Sequence, residues 1–600
     1  MTNRFLHIAP IVIKYSLFVI FAAFLLKQCM LFDKQIYGDE GIDTGTLLMP
    51  LFIAGFVLIS KRYWWIIPAF AVTTIWSIAN LMYYSFFYQL LDVPAMMLAN
   101  NMNGAWSLIT PLWTHLMTRM CLQWFYLTLI VVAIEIVSRK FDLKNDVSRI
   151  DCISFAVCLV AVVILSVGHN HHTYTSRTLL LPHQLEAATD LGIYPPVPKW
   201  VPFGVVINTA KCSPIETKPQ WKRAYVQHQS ITTYLISAFV FECFKAAQQG
   251  TVIRLSETDR EALQAYLHTE DGTYRKDYRP TRSICILLLE SFESWPIGRT
   301  FEGKEITPNL NRLVQQEHIL YCDRMQCQIR RGQSGDGQML VTSGMLPLED
   351  YVACMQYSDN TYPNYAHCYE SSVIVNPWPH CWKQDSMTLR YGYRSMIEPL
   401  FGLKANWQDD TILTYTMNWM KETDTLFCAL AISSSTHMPF TKVQTSTFAT
   451  VTGEWPEGLV NYVRSVNYTD SCFGAFWQQW QEDELLQQSV LVITGDHTIS
   501  HQVYSSETPA EVQDYAPDGW YLPFIVYSPD ITGRHYIHDT CYQMDIFPTL
   551  MAVNGGETYY WQGFGNNLLA DKKRNEPEEV LFDASAKMIK SDFFRTVENE

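Results

Sequence analysis

Apolar residues are spread unevenly along these 600 residues. Up to about residue 170 they form long blocks. Beyond about residue 280 they recur as short runs separated by amphipathic stretches. Five long blocks stand out, at 8–32, 44–60, 63–88, 116–137 and 151–168. Each is near the ~20 residues a helix needs to cross the hydrocarbon core, the second and fifth being shortest. No small-residue cleavage site follows the first block and further blocks come after it, so it reads as a span rather than a removed signal peptide. The first region, 1–168, is thus expected to be a five-helix membrane domain.

The loops set its orientation. Arg4 and Lys14 precede or open the first block, Lys61 and Arg62 fill the second loop, and Arg139, Lys140, Lys144 and Arg149 fill the fourth. The first loop carries Asp33, Asp39, Glu40 and Asp43 against Lys34, and the third has almost no charge except Asp92. Positive loops stay cytoplasmic. The N-terminus is therefore expected inside, and the chain past about residue 170 outside, in a multi-pass cell-membrane protein. A buried helical core in a soluble protein would not alternate its loop charges in this way.

Residues 169–280 read as a connecting segment. Pro182, Pro195, Pro196, Pro198 and Pro202 interrupt its first part. The apolar run 231–244, ITTYLISAFVFECF, is too short to span. It fits a helix lying in the membrane interface or a core helix of the next domain.

From 281 to 600 the period changes. SICILLL (283–289), LFCALAI (426–432), SVLVIT (489–494) and LPFIVY (522–527) read as buried strands, with helix-like stretches at 307–317, 411–421 and 458–480 between them. Such alternation predicts an α/β sheet covered on both faces. Active sites of these sheets gather at the carboxyl ends of the strands. Glu290 follows the first strand, Ser433 to His437 the second, and Asp496 and His497 the third.

Composition narrows the function. The chain is 48% hydrophobic and carries a net charge of −15, which disfavours nucleic acid as a partner. Eleven cysteines lie beyond the membrane region, with no CxxC pair to suggest a structural zinc. One or two local disulfides among Cys322, Cys327, Cys354, Cys368 and Cys381 fit an oxidising compartment, and buried free thiols fit equally.

Between Glu290 and Asp496 lies Arg330-Arg331-Gly332-Gln333-Ser334-Gly335-Asp336-Gly337-Gln338. It lacks the GxSxG spacing of a hydrolase elbow and the GxxxxGK[ST] of a phosphate loop. Each piece is common alone: an acid after a strand, a Gly-Asp-His turn, a serine among glycines. As an ordered set, Glu290, Ser334, Asp496 and His497 can hold a divalent metal against an alcohol, whose pKa coordination lowers. Arg330 and Arg331 are candidate phosphate contacts.

At this point the chain resembles a known family. ICILLLESF (284–292), Thr307-Pro308-Asn309-Leu310, the GQSGDGQ loop with Leu346-Pro347-Leu348, Ser435-Thr436-His437-Met438-Pro439-Phe440, Gly495-Asp496-His497 and Asp545-Ile546-Phe547-Pro548-Thr549-Leu550 look like the lipoteichoic acid synthases. These are membrane phosphoglycerol transferases of the alkaline phosphatase/sulfatase superfamily. The resemblance implies five spans followed by an extracytoplasmic α/β catalytic domain. It implies Glu290, Ser334, Asp496 and His497 as metal ligands, Ser334 also as nucleophile, and His437 and Trp382 as substrate contacts. The implied metal is Mn²⁺ or Mg²⁺, and Zn²⁺ fits the same ligand types.

Three departures bear on the substrate. The family nucleophile is usually threonine, and here it is the chemically equivalent Ser334. The family arginine two residues after the tryptophan is Gln384 here, beside Lys383, which alters the headgroup contact and points to transfer of single groups. The related phosphoethanolamine transferases carry histidine where this chain has Met544. A formylglycine sulfatase needs C/S-x-P-x-R, and no proline or arginine follows Ser334 at those places.

The implied reaction is transfer of a phospho-alcohol group from a membrane phospholipid to a lipid or glycan acceptor in the cell envelope. The alternatives are a phosphodiesterase or sulfatase-like hydrolase with the same residues, a phosphoethanolamine transferase, and a membrane protein keeping a decayed, non-enzymatic domain.

Overall fold

The computed structural model describes residues 2–37, 44–87, 113–141, 143, 146–176, 253–267, 280–330, 332–349, 352–377, 384–397, 408–438, 440, 443, 445, 447–499, 521–555, 561–570 and 576–595. The chain divides into two compact units, Met1–Gly250 and Thr251–Glu600.

The first unit is helical: α1 (Thr2–Tyr37), α2 (Thr44–Gly55), α3 (Ile66–Phe87), α4 (His115–Lys140) and α5 (Arg149–Ser176). Among the described residues, three segments are long and apolar enough to cross a membrane: Ile8–Phe32, Ile66–Tyr83 and His115–Lys140. Five had been expected. The stretch read as a span at 44–60 is helical only to Gly55, and its 12 residues reach about 18 Å of a ~30 Å core. Leu17, Phe21 and Leu25 of α1 pack with Ala54, Phe70, Leu127 and Val131.

Buried charge in this unit is paired. Lys14 Nζ donates to Asp151 Oδ2 at 2.7 Å and to the Asp146 carbonyl at 3.2 Å. Glu135 Oε1 accepts the Tyr63 amide at 2.7 Å, just before α3 begins. The Arg139 guanidinium lies 5.9 Å from the Trp64 ring. These contacts bring the start of α1, the α2–α3 turn, the end of α4 and the start of α5 to one end of the bundle. Lys14, Lys61, Arg62, Arg139 and Lys140 are gathered there.

The second unit begins ahead of the expected boundary at 281. Helix α6 (Glu257–Gln264) starts at Ser256, whose hydroxyl accepts the Asp259 amide. Arg260 bridges Asp592 at 2.9 Å, and Ile253 pairs with Ser591. These residues, taken from sequence as linker, pack on the chain's last described helix. The apolar run 231–244 lies outside the described residues.

A nine-stranded sheet forms the centre of this unit. Its strands are β1 (Ile284–Leu289), β4 (Ile319–Gln326), β5 (Ser371–Val375), β6 (Ser395–Ile397), β7 (Phe427–Ile432), β8 (Val490–Gly495), β9 (Tyr521–Tyr527), β10 (Arg534–Ile537) and β11 (Cys541–Tyr542), with β2 (Thr300–Phe301) and β3 (Lys304–Glu305) forming a separate hairpin. The order is β10-β4-β9-β8-β1-β7-β5-β6, with β11 also on β4. All pairings are parallel except those of β9. The four strands read from sequence are β1, β7, β8 and β9, and β1, β7 and β8 form the buried centre.

Pro523 lies inside β9, where a missing N–H would break a ladder. The partner strand accommodates it. Leu522 pairs with Met325 and Phe524 with Cys322, so Asp323 and Arg324 bulge opposite the single proline.

Cys322 and Cys327 are free thiols. Cys381 lies outside the described residues.

Candidate active site

Because β8, β1 and β7 are neighbours, the residues that leave them emerge side by side. The backbone locks their heights. Ser433 N donates to the Leu288 carbonyl at 3.0 Å, and Asp496 N to the Leu289 carbonyl at 3.1 Å. Ser433 Oγ accepts the Glu290 amide at 2.8 Å.

Ser334 arrives from the loop after β4 and opens helix α7 (Ser334–Ser343), which ends at left-handed Gly344. Ser334 Oγ donates to Glu290 Oε2 at 3.1 Å and lies 3.3 Å from His497 Nε2. His497 Nε2 is 3.4 Å from Glu290 Oε1 and 3.6 Å from Asp496 Oδ2. One ligand atom each from Glu290, Asp496 and His497 fall within 4.8 Å of one another. The four residues predicted as ligands therefore converge.

Two glycines permit this approach. A Cβ on Gly337 would lie 2.6 Å from the Asp496 carbonyl, so the first turn of α7 rests directly on the backbone that carries the ligand. A Cβ on Gly495 would lie 2.3 Å from the Phe292 carbonyl. Two of the five described non-glycine residues with positive φ flank the converging residues: Ser291, after Glu290, has φ 49°, and Gln333, before Ser334, has φ 43°. Such residues cost roughly 1–3 kcal/mol each and cluster at functional sites.

Buried acids hold the loops. Asp336 Oδ2 accepts the amides of Arg330 at 2.9 Å and Gly332 at 2.8 Å, folding the Ser334 loop around its own helix. Burial pushes its carboxyl up to about 7. Asp409 Oδ1 accepts the amides of Ser434 at 2.8 Å and Ser435 at 3.0 Å, steadying the segment that carries His437. The Thr436 hydroxyl donates to the Glu290 carbonyl. Glu293 accepts the Ile499 amide at 3.1 Å and the Trp295 indole at 3.0 Å. Sequence reasoning missed these residues. Asp336 and Glu293 resemble solvated loop acids until their burial is known.

The electrostatics call for a cation. Burial, then the Glu290 charge, push the Asp496 carboxyl up to about 7. Against burial, which would raise it, the His497 hydrogen bond and the His437 charge hold Glu290 below the usual carboxylate range. Against burial, which would lower it, Asp496 and Glu290 push His497 up to about 10. His497 Nδ1 donates to the Thr498 carbonyl at 3.0 Å, which turns Nε2 toward the acids. Asp496 Oδ1 accepts two amides, from Ser291 at 2.8 Å and His497 at 2.7 Å, while buried Oδ2 has no hydrogen-bond partner among the described residues. Two carboxylates, an imidazole, a hydroxyl and an orphaned carboxylate oxygen fit a divalent metal.

The other predicted residues are placed less centrally. His437 Nδ1 donates to the Met438 carbonyl at 2.7 Å, and its charge acts on Glu290. The Arg330 side chain is engaged in the loop. Nε bridges Glu349 at 2.7 Å, Nη1 donates to the carbonyls of Gln328 and Ile329, and the guanidinium stacks 4.2 Å from the Phe582 ring. This differs from the phosphate contact expected of it. Arg331, Trp382 and Lys383 lie outside the described residues. Gln384 opens the helix Gln384–Arg390. Two motifs quoted for the resemblance are helix starts. The Asn309 and Leu310 amides are capped by Asp470, and Asp545 accepts the amides of Tyr542 and Asn566.

The Sulfatase family model matches residues 347–556, a range that includes His437, Asp496 and His497 and begins after Glu290 and Ser334. The chain is 22% identical over 583 residues to the lipoteichoic acid synthase-like YvgJ of Bacillus subtilis, covering 92% of this chain and 85% of that protein. It is 22% identical over 316 residues to the lipoteichoic acid synthase of Staphylococcus aureus, and that match spans 48% of each chain. Among solved structures, the lipoteichoic acid synthase LtaP from Listeria monocytogenes is 19% identical, with 56% of this chain and 97% of that one covered and a TM-score of 0.44. The lipooligosaccharide phosphoethanolamine transferase A of Neisseria meningitidis is 11% identical, with 91% and 96% covered and a TM-score of 0.48. The curated relatives and the family model agree with the sequence resemblance: this chain is similar to the lipoteichoic acid synthases, and its residues 347–556 match the Sulfatase family model.

Proposed function

We propose that this enzyme transfers a phosphoglycerol-like phospho-alcohol group from a membrane phospholipid to an envelope acceptor through a covalent Ser334 intermediate. The observation that carries this reading is the position of Ser334 Oγ, at a helix start and within 3.1–3.3 Å of Glu290 and His497. Glu290, Ser334, Asp496 and His497 would hold one divalent metal, Mn²⁺ or Mg²⁺ by ligand type, with Zn²⁺ also compatible. When bound, the metal supplies Lewis acidity for the nucleophile and the phosphoryl oxygens.

Ser334 Oγ attacks phosphorus in line, the phosphorus–oxygen bond to diacylglycerol breaks, and a phosphoserine diester remains. The Ser334 hydroxyl proton passes to the leaving diacylglycerol oxygen; in the second displacement the acceptor hydroxyl attacks phosphorus, the Ser334 Oγ–phosphorus bond breaks, and the acceptor's proton returns to Oγ. His437 handles both protons. The amino end of α7 favours the negative phosphoryl group. Trp382, Lys383, Gln384 and Arg331 contact the headgroup, while Arg330 is left to the loop. With the basic loops inside and an odd number of crossings, the catalytic unit lies outside the cytoplasm.

The test uses full-length protein in detergent with labelled phosphatidylglycerol or phosphatidylethanolamine and divalent metal. Diacylglycerol release together with label on Ser334 is the expected result, with phosphatidylglycerol the preferred donor and one group added per acceptor. No diacylglycerol from either lipid would sink the reading. Free glycerol phosphate, formed whether or not an acceptor is present, would make the enzyme a hydrolase.

A further inference from the structure

Ser291 joins the two candidate ligand acids. Its Oγ donates to Glu290 Oε1 at 3.0 Å, and its amide donates to Asp496 Oδ1 at 2.8 Å. Its carbonyl accepts the Tyr462 hydroxyl at 3.1 Å, and that hydroxyl oxygen accepts the Glu293 amide at 3.0 Å. Both Ser291 and Tyr462 are buried. The turn that follows β1 is thus clamped by one tyrosine and faces the site through one serine.

The backbone makes the choice of serine informative. With φ at 49°, Ser291 occupies the left-handed region, which glycine enters without penalty and a side chain does not. Packing alone would favour glycine there. The hydroxyl has a definite task instead. It braces Glu290 Oε1, which also lies 3.4 Å from His497 Nε2, and so orients the carboxylate whose Oε2 accepts from Ser334 Oγ. The amide helps to hold Asp496 Oδ1, so that Oδ2, 3.6 Å from His497 Nε2, is presented to the site.

We infer that Ser291 is a positioning residue for the metal centre, orienting the Glu290 carboxylate through its hydroxyl and the Asp496 carboxylate through its amide. This rests on the metal reading of Glu290, Asp496 and His497 given above. Tyr462 buttresses it by fixing the Ser291 peptide.

The experiment is calorimetric titration of the full-length, metal-free protein with Mn²⁺, alongside thermal unfolding. Ser291→Gly removes the hydroxyl and keeps the amide and the favoured backbone. It should unfold at or above the wild-type temperature yet bind Mn²⁺ about 10-fold more weakly, the lower end of what loss of a ligand's outer partner causes. A merely structural serine would move the unfolding temperature and leave affinity alone. Tyr462→Phe should weaken Mn²⁺ by a smaller factor. Wild-type affinity in Ser291→Gly, with binding lost in Asp496→Ala, would overturn this inference and leave the metal centre standing. Wild-type affinity in Asp496→Ala would overturn the metal centre and this inference with it.

Discussion

The two units treat buried charge in opposite ways. In the helical unit Lys14 and Asp151 are almost wholly buried, and each is answered by the other at 2.7 Å. Glu135 is occupied by the Tyr63 amide. In the α/β unit Glu290 and Asp496 are buried side by side, Asp496 Oδ2 has no hydrogen-bond partner among the described residues, and burial with the Glu290 charge pushes Asp496 up to about 7. Elsewhere in the same unit Asp336, Asp409 and Asp470 each accept two or more amides. Balanced burial holds elements together. An unbalanced cluster at the carboxyl edge of a sheet is prepared for a cation and a reaction.

That contrast can be broken at several points. The largest effect is expected at the nucleophile. Ser334→Ala should lower diacylglycerol release from labelled phospholipid by several orders of magnitude while unfolding like wild type. Turnover near wild type would end the covalent reading.

In the helical unit the charges should register in stability. Lys14→Met strands Asp151 without its cation and should cost about 3–5 kcal/mol, read from unfolding in detergent. Adding Asp151→Leu should recover most of it. Full stability in Lys14→Met would mean that the pair is not holding α1 to α5.

At the catalytic edge the reverse is expected. Asp496→Asn relieves the repulsion from Glu290, so the metal-free protein should unfold no earlier than wild type. Its Mn²⁺ affinity should nevertheless fall by more than the 10–100-fold typical of a lost outer partner. A protein destabilised with its metal affinity intact would place Asp496 among the architectural acids.

The smallest effect is that of pH. The Asp496 carboxyl stands at about 7, above its ordinary 3.8, so below pH 7 a proton competes with the cation. Mn²⁺ must also displace the proton on His497, held up to about 10, so affinity measured by titration should rise about tenfold per pH unit from pH 7 to 8 and more steeply below pH 7, where Asp496 adds a second proton. A flat profile from pH 6 to 8 would contradict both shifts.

The parts legible in the sequence are those written in local pattern. Long apolar blocks with alternating loop charge announced the helical unit. Runs such as ICILLL and FCALAI announced strands buried on both faces, because a central parallel strand has no polar side to show. Glu290, Asp496 and His497 could be named because strand ends in such a sheet are where side chains converge, and Ser334 because it completes the ordered set that the family resemblance implies. Other elements were hidden by mixed content. β4 reads ILYCDRMQ, its charged pair being the bulge opposite Pro523. The 44–60 block looked like a span since hydropathy does not reveal where a helix turns.

By itself, then, the sequence pointed to the two-part architecture, the class of sheet and the four residues that converge at the candidate centre, because hydrophobic period and residue chemistry are carried locally. It could not say that Arg330 would be spent on Glu349 and Phe582, that Asp336 and Asp409 would be buried and hold the loops, or that Ser291 would reach both ligand acids. Those outcomes belong to the tertiary structure. They depend on which residues far apart in the chain, such as Ser291 and Asp496 or Arg330 and Phe582, are brought within hydrogen-bond or ring-stacking reach, and on which of them lose water.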